Sequence, residues 1–119
     1  MVGTTRGRDA VSTTFELLAN RRRRYALRCL RTYENSITLA DLADEVAVLE
    51  CNEPLTEISA ERVKRVYLSL YHTHVPKLAD ASYVRYDQEQ DMVALRDRAE
   101  GIDLLEAYLE PVSSTHATE

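Results

Sequence analysis

Lysine is almost missing from this 119-residue chain: only Lys64 and Lys77 stand beside thirteen arginines. Glycine and proline occur three times each, too few for a low-complexity or loop-built protein. Cysteine occurs twice, as Cys29 and Cys51, too few for the disulfide framework of a small secreted domain. No apolar run approaches the roughly 18–20 residues that span a membrane. The opening Met1-Val2-Gly3-Thr4-Thr5-Arg6 also lacks the apolar stretch of a secretion signal. These absences set the expectation of a cytoplasmic protein with no membrane partner. The 45% of hydrophobic and 29% of charged residues suffice for one globular domain with a modest core.

Twenty acids oppose fifteen bases, a net charge of -5 that ordinarily counts against a nucleic-acid partner. A surface rich in Asp, Glu and Thr and poor in Lys nevertheless resembles that of proteins from extreme halophiles. In multimolar salt the Debye length shrinks to ~3 Å or less. Net charge then says little about partners, and the placement of the arginines has to decide.

Residues 1–11 are polar and without periodicity, and read as a flexible arm. Thr13-Thr14-Phe15-Glu16 has a capping-box pattern, and Asn20 can cap a second helix to about Tyr33. Tyr25, Ala26, Cys29, Leu30 and Tyr33 form its expected buried stripe. Arg21, Arg24, Arg28 and Arg31 form a separate basic one. Ile37 reads as a minimal strand. Thr38 caps a short helix buried through Leu39, Leu42, Ala43 and Val46, and a polar connection holding Cys51 and Pro54 follows. Ser59 then caps a long helix over about 59–80, with Val63, Val66, Tyr67, Leu70 and His74 inward. Pro76 falls inside it and is predicted to kink or break it, because it removes a backbone donor. Tyr83–Asp87 and Met92–Arg96 read as a hairpin about Gln88-Glu89-Gln90. A last helix carries Ile102, Leu105, Tyr108 and Leu109, and 111–119 is a tail. One domain over 12–110 results.

This order is that of a winged helix-turn-helix: mainly α, a three-helix core with a β-hairpin as the wing and a C-terminal helix. Ile37 to Val46 resembles the positioning helix of such regulators. Val75 to Val84 resembles a recognition helix running into the wing, with Ser82 where glycine is usual. Phe15 to Tyr25 resembles their opening, a helix break before an Arg-rich helix. Over Phe15–Leu30, Thr38–Val48 and Leu70–Tyr86 the chain is similar to a haloarchaeal family of small winged-helix domains, akin to ArsR-type winged helices. The resemblance implies double-stranded DNA as partner and a recognition helix in the major groove. It also implies that Ser69, His72 and Thr73 lie nearer the bases than Arg62.

On the long helix, Arg62, Arg65, Ser69 and His72 share one face, with Thr73 beside them and Lys77 beyond the proline. Arg65, Ser69, His72 and Thr73 are the candidates for reading base edges. Arg21, Arg24, Arg28, Arg62, Lys77 and Arg85 are those for phosphate contacts. The bland alternatives are a solvated helix face and salt bridges to surface acids. Asp87, Glu89 and Asp91 place acid at the wing tip, which should repel phosphate and favours a protein partner there.

Cys29 reads as a buried, inert thiol, and a Cys29–Cys51 bridge stays open. His72 and His74 point about 200° apart on a helix and cannot share a metal ion. Neither cofactor nor metal site is expected. Without a nucleophile elbow, phosphate loop or carboxylate pair, neither is catalysis. Ile102, Leu105 and Leu109 are candidate contacts of a homodimer, which would suit a palindromic operator. The leading expectation is a sequence-specific transcriptional regulator; the alternative is a winged-helix adaptor that binds protein and not DNA.

Overall fold

Three polar side chains decide where the main helices begin. The computed structural model describes residues 15–96. In it Asn20, Thr38 and Ser59 sit in extended backbone and accept hydrogen bonds from the amides of Arg23, Asp41 and Arg62. Each supplies one partner that a helix N-terminus lacks. Asn20 opens α1 (Arg21–Leu30), Thr38 opens α2 (Leu39–Cys51) and Ser59 opens α3 (Ala60–Ser69). A helical stretch at residues 15–19 precedes α1. The expected arm, the Thr13-Thr14 cap, the helix with Ile102, Leu105 and Leu109, and the tail lie outside the described residues.

The core is aliphatic. Leu18, Leu27, Leu30, Leu39, Leu42, Val46, Val66, Leu70, Leu78 and Val84 are all but sealed from solvent, each worth roughly 1.5–3 kcal/mol of transfer free energy. The α2 stripe is as the sequence predicts, with Leu39, Leu42, Ala43 and Val46 buried. In α1 the stripe is corrected. Leu27 and Arg23 are buried, whereas Tyr33 is exposed and donates its hydroxyl to Glu45. Cys51 ends α2 and is half-buried, so it does not lie in the polar connection.

Pro76 does not break the long helix. After α3 the chain widens into a single π turn, Leu70–His74, and continues as α4 (Val75–Asp80), giving one helical rod. The Val75 amide donates to the Leu70 carbonyl five residues back. Pro76 stands directly after the π turn, at the start of α4. The wide turn has a packing reason. Val66, Leu70, His74 and Leu78 are buried at four-residue spacing, and in a straight α-helix each such step drifts by roughly 40°. An extra residue in one turn takes up part of that drift and keeps the stripe on the core.

The rod ends in a full Schellman arrangement. Tyr83 N–H donates to Leu78 O at 2.9 Å, Ser82 N–H to Ala79 O at 3.0 Å, and Tyr83 and Leu78 are both buried. Ser82 takes the left-handed conformation, φ 69°, that glycine would adopt freely. Strands β2 (Val84–Asp87) and β3 (Met92–Leu95) follow, and with β1 (Ile37–Thr38), which lies between α1 and α2, they form an antiparallel sheet of order β1-β3-β2. Ile37 pairs with Val93 and Val84 with Leu95. The described chain is thus mainly helical with a small three-stranded sheet, and none of its helices is long and apolar enough to cross a membrane.

Left-handed backbone costs a non-glycine residue about 1–2 kcal/mol. Ser82→Gly should therefore stabilise the fold by about 1 kcal/mol and raise Tm by roughly 4–8 °C. Ser82→Val should lower Tm. Thermal unfolding of the two variants checks this; a lower Tm for the glycine variant would refute it.

Candidate nucleic-acid interface

The outer face of the rod is where most candidate residues meet. Arg62, Arg65, His72, Thr73 and Lys77 are exposed, and Ser69 is half-buried. Arg65 lies 3.6 Å from Glu61 one turn back, with both side chains largely in water, so the pair holds it weakly. His72 sits edge-on to the Tyr71 ring, centroids 4.9 Å apart. Over residues 60–80, Arg62, Lys64, Arg65 and Lys77 face only Glu61 and Asp80 as acids. Chemically this is a row of donors whose guanidinium, imidazole and hydroxyl groups suit base edges and phosphate oxygens.

The basic stripe of α1 does not act as a unit. Arg24 donates Nη1 to Leu18 O. Arg28 lies over the Tyr25 ring at 5.7 Å and lines an apolar cavity of about 390 Å³ with Cys29, Asp44 and Glu45. Arg31 is exposed at the end of α1. Arg21 lies beside the rod: with Arg62 it lines a polar cavity of about 380 Å³, whose other walls are Asn20, Arg22, Glu50 and His74.

The arginine that sequence reasoning missed is Arg23, only 8% exposed. Its Nε donates to Leu17 O at 2.9 Å, Nη2 to Glu16 O at 3.1 Å, and Nη1 reaches His74 Nδ1 at 3.3 Å. It thus caps the carbonyls that end the 15–19 helix and fastens them to the rod. Arg22 grips both oxygens of Glu50 at the far end of α2. A signal existed: Arg23 stands four and seven residues before Leu27 and Leu30, on the apolar phase of its helix.

The hairpin tip is less acidic in effect than its sequence suggests. Asp91, at φ 56°, turns its carboxylate inward to accept the hydroxyls of Tyr67, at 2.7 Å, and Tyr86. Its carbonyl accepts the Leu39 amide at 2.8 Å. The hydrogen bond to Asp91 raises the Tyr67 pKa, while burial first and that bond second raise Tyr86. Tyr71 packs between Tyr67 and Tyr86 and accepts from Gln88 at 3.3 Å. Asp87 accepts the amides of Glu89 and Gln90. Of the three tip carboxylates Asp91 is thus turned into the fold, and the expectation of an acid-studded tip narrows to exposed Asp87 and Glu89. Arg85 is exposed on β2, along a depression shared with Glu34 and Asp87.

Burial pushes the Cys29 thiol up to about 12, Glu45 adding to the effect, and both cysteines are free. His72 faces out and His74 in. Among the described residues no group of three or more His, Cys, Asp or Glu is placed to hold a metal ion. Burial, then the charges of Arg23 and Arg22, lower His74 from its ordinary 6.5 to about 4. The Arg23 guanidinium can only donate, so the neutral ring accepts at Nδ1 and carries its proton on Nε2.

A folded-state pKa below the unfolded one means that protons favour the unfolded chain. The stability from neutral His74 should be complete above pH 6.5 and lost as pH falls towards 4. Urea midpoints should decline between pH 6.5 and 5 in the parent and stay flat in His74→Gln; equal slopes would refute the assignment. Tyr67→Phe should cost about 1 kcal/mol and speed hydrogen exchange in β2 and β3 more than in α1. Uniform acceleration would show that Asp91 does not tie hairpin to rod.

Comparison with known proteins finds no match among curated proteins and none among solved structures. A family model described as a domain of unknown function (DUF7344) matches residues 15–94, from the 15–19 helix into β3, and the chain therefore belongs to the DUF7344 family.

Proposed function

We propose that this chain is a winged helix-turn-helix, sequence-specific DNA-binding regulator whose rod lies in the major groove. The observation that carries the reading is the rod's outer face: Arg62, Arg65, His72, Thr73 and Lys77 stand exposed on one continuous helix. The order of elements supports it, since α1, the minimal strand β1, α2 and the rod precede a hairpin that pairs back onto that strand. In this reading Arg65, Ser69, His72 and Thr73 read bases, while Arg21, Arg62 and Lys77 hold phosphates. Arg24 and Arg28 are better explained by their contacts within the protein. A two-fold dimer through Ile102, Leu105 and Leu109, and a cytoplasmic, halophilic setting, belong to the same proposal.

One observation favours a second reading, a protein-binding adaptor. Residues 32–58 carry seven carboxylates and no Lys, Arg or His, so α2 offers an acidic surface that a DNA backbone would repel and a basic protein would accept.

Binding of genomic fragments in high potassium salt separates the two. A specific fragment should bind well above random DNA. Arg65→Ala and His72→Ala should each weaken it about tenfold, in line with ~1–3 kcal/mol per base contact, without moving Tm. Arg62→Ala should weaken all sequences alike and lower the salt slope by about one. Failure of every fragment to exceed random DNA would turn the assignment to the adaptor.

A further inference from the structure

We infer that the cavity walled by the start of α1, the end of α2 and the rod is a binding site for a phosphate group. The cavity holds about 380 Å³ and is lined by Asn20, Arg21, Arg22, Glu50, Arg62 and His74. Glu50 does not neutralise it, because Arg22 takes both of its oxygens. That leaves Arg21 and Arg62, for which no described residue supplies an ion pair. Two guanidinium groups match the charge of about −2 on a phosphate monoester and present donors in forks that suit its oxygens.

A second, independent feature points to a ligand. His74 is 7% exposed, and its Nδ1 is taken by Arg23. Its Nε2–H is a buried donor with no acceptor among the described residues, in a side chain that lines this cavity. Buried donors of that kind are rarely left without a partner. The ten-residue α1 also begins beside the cavity, with Asn20, Arg21 and Arg22 among its lining residues, so the positive end of the helix lies close to it. An oxyanion would accept from His74 Nε2 while the two arginines bind its remaining oxygens. The chemistry is the same for a free phosphorylated molecule and for a phosphate of a DNA backbone. The inference does not require the DNA reading, because inorganic phosphate tests the cavity alone.

The test follows the His74 ring in ¹H–¹⁵N spectra of the full chain at pH 7. Inorganic phosphate replaces potassium chloride at constant ionic strength, and a short DNA duplex forms a second arm. The His74 Nε2 signal should move saturably. In the Arg21→Gln/Arg62→Gln variant the affinity should fall about tenfold or more. Both positions are exposed, and an unchanged Tm confirms the variant's fold. A response to phosphate but not to duplex supports the site for a free phosphorylated molecule; a response to duplex supports it for the backbone. A ring signal that ignores both, or a response that survives in the variant, overturns the inference. Should Arg65→Ala still weaken DNA binding in that event, the DNA reading stands without the cavity.

Discussion

The buried guanidinium of Arg23 is the contact on which the arrangement of helices depends. A helix that ends at residue 19 leaves carbonyls without partners, and the tight passage into α1 brings them against a low-dielectric interior. Arg23 meets Glu16 O, Leu17 O and His74 Nδ1 with three different nitrogens. Burying an ion is expensive unless it is hydrogen-bonded, and here each of the three guanidinium nitrogens finds an acceptor. Since the same side chain touches the 15–19 helix, α1 and the rod, the angle between these elements follows from one fork of hydrogen bonds.

The scarcity of lysine acquires a local meaning from this. Arg22 chelates a carboxylate, Arg23 bridges three acceptors and Arg24 reaches the Leu18 carbonyl. A lysine ammonium is a compact charge on a flexible stem and cannot satisfy such spread acceptors at once. Three of the four consecutive arginines thus serve the fold, and the outward charge of this segment is smaller than its composition suggests. What remains for a partner is concentrated at Arg21 and along the rod, next to an acidic α2. The contrast between these neighbouring surfaces orients any charged partner on the domain.

Local chemistry made much of this legible in the sequence. Asn20, Thr38 and Ser59 announced their helices because capping is a matter of adjacent residues. Tyr83–Asp87 and Met92–Arg96 announced the hairpin because strand patterning is equally local. The exposure of Arg62, Arg65, His72 and Thr73 followed from helical phase. What escaped depends on partners far away in the chain. Pro76 reads as a kink or a break under local rules; the rod runs on past it through a π turn that keeps Val66, Leu70, His74 and Leu78 on one side. Asp91 reads as an exposed tip acid, yet Tyr67, 24 positions away, claims it. The cavity between Arg21, Arg62 and His74 joins segments that only the fold brings together.

The π turn also bears on how this chain can vary. It holds one residue more than a regular turn would, so it is a built-in insertion at 70–74. Removing one residue there would restore an ordinary helix. Because the wide turn already absorbs the roughly 100° that one residue adds, Val75 and Leu78 would keep nearly their present direction and the hairpin its aim. The rod can thus lose a residue at 70–74 at little cost to the core, whereas one added or lost in α3 or α4, where no wide turn absorbs it, would swing the sheet by about 100°.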